Sequence, residues 1–212
     1  MDTRSLLHDV ADRAADWLES VNERPVAPGQ TPHELEITRT LDDGPLPAER
    51  VIADMAREAE PGLTAINSPR FFGFVMGGSH PAGVAADWLA AAWDQNAGLA
   101  HPTPAVAAFE EVAGEWLADV LRLPRDASFA LVTGCQMAHV TALAAARHRL
   151  LADAGHDVER DGLLGAPRIR VLAGEERHVT LDRALRLLGI GSAAIEPVGV
   201  GPARRHARRD AG

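Results

Sequence analysis

Strands alternating with helices in the C-terminal half predict an α/β protein with a parallel sheet. Three observations carry this. Apolar run 128–133 passes through a glycine turn into a helical stretch at 136–152. A second run, 168–173, precedes a helical pattern near 180–188 that Gly189 stops, and a third run follows at 193–198. The first sixty residues differ in kind: they are helical, then broken by prolines, and they hold nearly all the net charge. Strands joined through helices pair in parallel.

Residues 3–21 read as an amphipathic helix, with Leu7, Val10, Ala14, Trp17, Leu18 and Val21 on one stripe. Pro25, Pro28, Pro32, Pro45 and Pro47 make 22–48 an irregular arm. Within it, Thr31-Pro32-His33-Glu34 has the form of a capping box opening a short helix. Such an arm has little of its own to bury and is expected to lie on a larger domain or a second subunit. Pro47 starts a helix to about Glu60, with Val51, Ile52 and Met55 inward. An extended aromatic stretch, 67–78, ends at Gly77-Gly78, and Ser79 is the expected cap of an alanine-rich helix over 80–97. Thr103-Pro104 supplies a cap and first-turn proline for a helix with Val106, Phe109, Val112, Ala113, Trp116, Leu117 and Val120 on one face.

Hydrophobic residues make up 46% of the 212, enough for a core, so disorder throughout is not expected. The single cysteine excludes an internal disulfide and a cysteine-rich zinc site, and the histidines lack metal spacing. No apolar stretch approaches the roughly 20 residues of a membrane span, and Asp9 interrupts any signal-peptide core. A cytoplasmic location with no membrane partner is expected. Residues 1–60 hold 14 acidic residues against 6 arginines, a net of −8 out of −9 for the chain. That balance disfavours nucleic acid, whose binding rests on neutralising phosphates. The basic run 204–209 reads as a solvated tail.

Two places could carry chemistry. At Thr133-Gly134-Cys135-Gln136 a strand becomes a helix, where unpaired N–H groups and the positive end of the helix dipole suit a phosphate. Gly134 would let the backbone turn and approach closely. A glycine kept for turn geometry alone is the other reading. Cys135 has no visible base and reads as a small residue with a useful backbone N–H. His178 follows the second strand, at the sheet edge where open α/β folds bind ligands. A solvated loop histidine is the alternative.

Together these stretches resemble the pyridoxal-phosphate-dependent group II amino-acid decarboxylases, which include aromatic-amino-acid, histidine and glutamate enzymes. The resemblance runs over roughly 20–198. It rests on the arm from Glu23-Arg24-Pro25 to Leu46-Pro47, on Ser68-Pro69-Arg70-Phe71-Phe72-Gly73-Phe74, and on Thr103-Pro104-Ala105 through Glu110. It continues through Thr133-Gly134-Cys135-Gln136-Met137-Ala138, Ala145-Ala146-Arg147, and Glu176-Arg177-His178 to Gly189-Ile190-Gly191. It implies a fold-type-I PLP-dependent transferase-like architecture, a parallel sheet here truncated, with an N-terminal helical arm that wraps a partner in a homodimer. It implies pyridoxal 5'-phosphate as cofactor and an amino acid as substrate. The backbone at Gly134, Cys135 and Gln136 would cradle the phosphate. His178 would stack on the cofactor ring as the one catalytic residue present, and Phe74 and Gly77 would contact substrate. Where the family often has Ser or Thr, this chain has Gln136, replacing a hydroxyl contact to phosphate by an amide.

The family's pyridinium-pairing aspartate and Schiff-base lysine lie beyond the matching region. No lysine occurs: all 21 basic residues are arginine, which stays protonated and cannot serve as an amine nucleophile. The expected organisation is an arm over 1–60, a partial cofactor-binding domain over 61–198, and an irregular tail over 199–212 that reads as out of frame or prematurely ended. The expected function is a fragment of a decarboxylase, inactive alone. The rivals are a non-catalytic partner of a full-length homologue and a fragment of another fold-type-I enzyme, an aldehyde synthase or aminotransferase.

Overall fold

The computed structural model describes residues 2–41, 43–124 and 126–199. The chain divides into two compact units, Met1–Asp94 and Gln95–Gly212. The proposed tail, apart from Gly199, lies outside the described residues.

In the N-terminal unit, α1 (Thr3–Ser20) is capped by Asp2, whose carboxylate accepts from the Ser5 N–H at 2.8 Å. Val10, Ala14, Trp17 and Leu18 are half-buried and Val21 is buried, whereas Leu7 is exposed. The arm is pinned to its own chain. Gly29 and Gln30 donate to the Pro61 carbonyl, and Ala65 donates to that of Val26. Arg24 lies over the Trp17 ring at 4.5 Å and pairs with Glu60 at 2.8 Å. The capping box forms, with the Thr31 N–H and hydroxyl each 2.8 Å from Glu34, but it closes a single hydrogen-bonded turn in place of the expected short helix.

Helix α2 (Ala48–Ala59) runs into a 3-10 turn at 60–62. Ile52 is half-buried, but Val51 and Met55 point to solvent, against expectation, because no described element of this unit covers that face. Helix α3 (Pro81–Trp93) is capped by His80 rather than Ser79: Nδ1 of the ring accepts the Ala82 N–H at 3.2 Å.

In the C-terminal unit, α4 (Pro104–Val120) begins after Thr103, whose hydroxyl donates back to the carbonyls of Asn96 and Leu99 instead of capping. The broad apolar face expected on α4 is largely exposed, with Phe109, Trp116 and Val120 at 69%, 70% and 76%. The buried position is Gly114, under the Phe129 ring. The strand expected at 128–133 is absent. A strand exists only with a ladder partner, and no described segment pairs there.

Helices α5 (Cys135–Asp153) and α7 (Val179–Leu187) pack together, with the short α6 (Val158–Asp161) beside them. The core lies here: Leu151 and Leu185 are fully buried, joined by Val158, Ala184, Leu188 and Ala194. Strands β1 (Val171–Gly174) and β2 (Ile195–Val198) pair in parallel, Val171 opposite Ile195 through Gly174 opposite Val198. Helix α7 is their crossover, so this is the β-α-β unit read from the sequence. The Arg170 guanidinium forks onto Glu196 at 2.6 and 2.5 Å, tying the two strands. Gly189, at φ 72°, ends α7 in the left-handed conformation that favours glycine, and the Ile190 N–H returns to the Leu185 carbonyl. Among the described residues no helix is long and apolar enough to cross a membrane.

Candidate cofactor-phosphate site

Helix α5 is 19 residues long, and no side chain caps its N-terminus. Its first-turn N–H groups lack intrahelical partners, and the full dipole of the helix stands behind them. Thr133, Gly134 and Cys135 are exposed, and no acidic residue sits in the first turn. Gly134 has φ 160°, an extended backbone open to any residue, so its torsion does not require glycine. What it offers is space: a Cβ added there would meet nothing within 4 Å. An anion can approach the open helix end, which is the arrangement phosphate groups use.

The side chain of Gln136, half-buried, turns away from that opening. Its Nε2 donates to the Thr180 carbonyl in the first turn of α7, at 3.1 Å. Thr180 is itself buried. His178 is the N-cap of α7: its Nδ1 accepts the Thr180 N–H at 3.3 Å and lies 2.9 Å from the Thr180 hydroxyl. The residue is exposed, so the ring is held through Nδ1 while part of it meets solvent. Beside it, Arg177 forks onto Asp182 with both contacts at 3.0 Å. That bond holds the Asp182 carboxyl below the ordinary carboxylate range. The structure thus brings Gly134, Cys135, Gln136 and His178 to one locality, at the N-termini of two packed helices.

Thr180 was missed by sequence reasoning. Its signal is the His-x-Thr spacing at a helix start, where a side-chain acceptor at the cap position meets the N–H two residues on. Cys135 has a neighbour that was not expected, His139 one turn along, with Sγ and Nδ1 3.8 Å apart. The i,i+4 spacing on a helix was the available clue. Phe74 and Gly77 belong to the N-terminal unit. Phe74 is 90% exposed, and both it and Val75 take left-handed torsions, φ 56° and 54°. Gly77 lines an apolar cleft of about 470 Å³ with Trp17, Leu18 and Ile66. Among the described residues no group of His, Cys, Asp or Glu is placed to hold a metal.

The pyridoxal-dependent decarboxylase conserved domain matches residues 28–203. The chain is 30% identical to tryptophan decarboxylase 1 of Oryza sativa subsp. japonica, over 94% of this chain and 41% of that protein. It is 26% identical to an aromatic-L-amino-acid decarboxylase of Bacillus atrophaeus, over 88% of this chain and 37% of that one. The chain therefore spans about two fifths of the length of these curated relatives. Among solved structures, Oryza sativa TDC with PLP and tryptamine superposes on 100% of this chain and 49% of its own, at TM-score 0.81 and 28% identity. Mouse CSAD superposes at 0.83 with 18% identity over 94% of this chain and 42% of its own, a likeness of fold alone. These likenesses make the α/β fold that of a PLP-dependent decarboxylase; among the described residues its sheet has two strands.

Proposed function

Because the chain belongs to the pyridoxal-dependent decarboxylase family, whose cofactor is pyridoxal phosphate, we propose that it is the cofactor-cradling portion of an amino-acid carboxy-lyase. The observation that carries this is the uncapped, open N-terminus of α5 tied through Gln136 to the start of α7, where His178 stands. The donor set fits the group. Backbone N–H groups at Gly134, Cys135 and Gln136 would hold the phosphate, and the imidazole of His178 would lie on the pyridine ring. When bound, the cofactor supplies an electron sink for loss of the carboxylate.

The chain's own residues bind and orient; they do not anchor covalently. With no lysine among 212 residues, the amine that the family's chemistry needs would have to come from outside this polypeptide, and the chain alone is inactive. Phe74 and Gly77 are the proposed substrate contacts. An amino-acid substrate, a homodimeric full-length form and a cytoplasmic location complete the proposal, with an arm over 1–60 serving assembly and 61–198 serving the cofactor. The same absence of lysine favours one second reading, a non-catalytic partner of a full-length homologue.

Calorimetry with pyridoxal phosphate and with pyridoxal tests the proposal. The phosphate ester should bind more tightly, and His178→Ala should weaken both several-fold if stacking contributes about 1 kcal/mol. Borohydride should fix no cofactor to an internal residue, the N-terminal amine being the one amine present. Equal binding of the two ligands would remove the phosphate assignment. An internal reduced adduct would overturn the claim of inactivity.

A further inference from the structure

Gln136 and Thr180 form a continuous path between the α5 N-terminus and His178. A carboxamide at the second position of an open helix end could face solvent and an incoming anion. Instead the Gln136 Nε2 donates to the Thr180 carbonyl at 3.1 Å. A hydroxyl at position 136 would end two bonds shorter and could not make the same reach. Thr180 is buried, and its N–H and hydroxyl both converge on Nδ1 of His178, at 3.3 and 2.9 Å. A backbone N–H only donates, so Nδ1 is the acceptor and the ring proton sits on Nε2. Two contacts at one ring nitrogen restrict rotation of the imidazole.

We infer that Gln136 and Thr180 are positioning residues for His178, fixing the place and tautomer of its ring relative to the phosphate cradle. The inference rests on the reading of His178 as the ring-stacking residue. Gln136 then serves the cofactor's ring through its side chain and the phosphate only through its backbone.

The test uses the whole chain with pyridoxal phosphate and pyridoxal as probes, and ¹⁵N-histidine labelling with His178→Ala to assign the ring signals. In the ligand-free chain His178 should show the Nε2–H tautomer. Gln136→Met, which keeps the side chain's length but removes the donor, should weaken both ligands by the same factor. That factor is about two- to fivefold and no larger than the loss in His178→Ala, since the bridge acts only through that ring. Thr180→Ser should keep the ring signature, and Thr180→Val, which leaves Nδ1 only the longer 3.3 Å contact from the backbone N–H, should move it toward a tautomer mixture. Weakened pyridoxal phosphate with unchanged pyridoxal in Gln136→Met would mean that the amide reads phosphate, and would overturn the inference. So would unchanged affinities with an unchanged ring signature. If Gln136→Met does not fold, the Thr180 pair decides, and identical ring signatures in Ser and Val variants refute the bracing. Unchanged binding in His178→Ala would sink the stacking role instead, while the ring tautomer of the ligand-free chain still reports on the brace.

Discussion

Gly114 is the position where a single methyl group should separate local helix preference from packing. A Cβ built there would lie 2.0 Å from Cζ of Phe129, 2.2 Å from Cε1 and 2.4 Å from Cε2. Carbon atoms rest about 3.5–4.0 Å apart, so the ring must retreat by about 1.5 Å or more. Overpacking of this kind costs about 1–3 kcal/mol. Against it stands the gain of about 1 kcal/mol for alanine over glycine inside a helix. Phe129 is 47% exposed and has room to swing outward, which places the penalty near the middle of its range. Gly114→Ala should therefore destabilise by about 1 kcal/mol in urea titrations followed by circular dichroism. In a Phe129→Ala background the clash is gone, and the same substitution should stabilise by about 1 kcal/mol. The coupling of about 2 kcal/mol is the signature of the ring seated on α4. A stabilising Gly114→Ala in both backgrounds would refute it.

Acid should weaken the start of α7. Asp182 is held below the ordinary carboxylate range by Arg177, so its contribution is present above the unfolded value and lost as pH falls through the folded one. The stability gap between the chain and Asp182→Asn should be open at neutral pH and close in acid. A gap independent of pH would count against the ion pair. The exposed faces of α4 and β1, with Phe109, Trp116, Val120 and Leu172, should drive self-association and binding of the dye ANS. A monomer in sedimentation with a sharp cooperative melt would contradict this.

Helix positions were legible because periodicity and caps are local. The pattern over 3–21 became α1, Thr103-Pro104 opened α4, and Gly189 closed α7 where its left-handed torsion was needed. The β-α-β unit was legible for the same reason, as two apolar runs flanking a helix. The run at 128–133 was not decidable locally, since its apolar residues suit a strand only when another strand lies alongside. Inward faces failed likewise at Val51, Met55 and much of α4, because burial depends on what packs against a helix and not on its own stripe. In the site, the glycine turn and His178 stood out by type and place. The bond from Gln136 to Thr180 did not, because it joins residues 44 positions apart.

In the proposed function the N-terminus of α5 holds the phosphate while His178 meets the ring. An NMR titration of the ¹⁵N-labelled chain with pyridoxal phosphate tests it most directly. Saturable shifts should centre on the amides of Gly134, Cys135 and Gln136 and on the His178 ring, with pyridoxal moving the ring signals but sparing the three amides. Saturable shifts that leave all four residues untouched would contradict it.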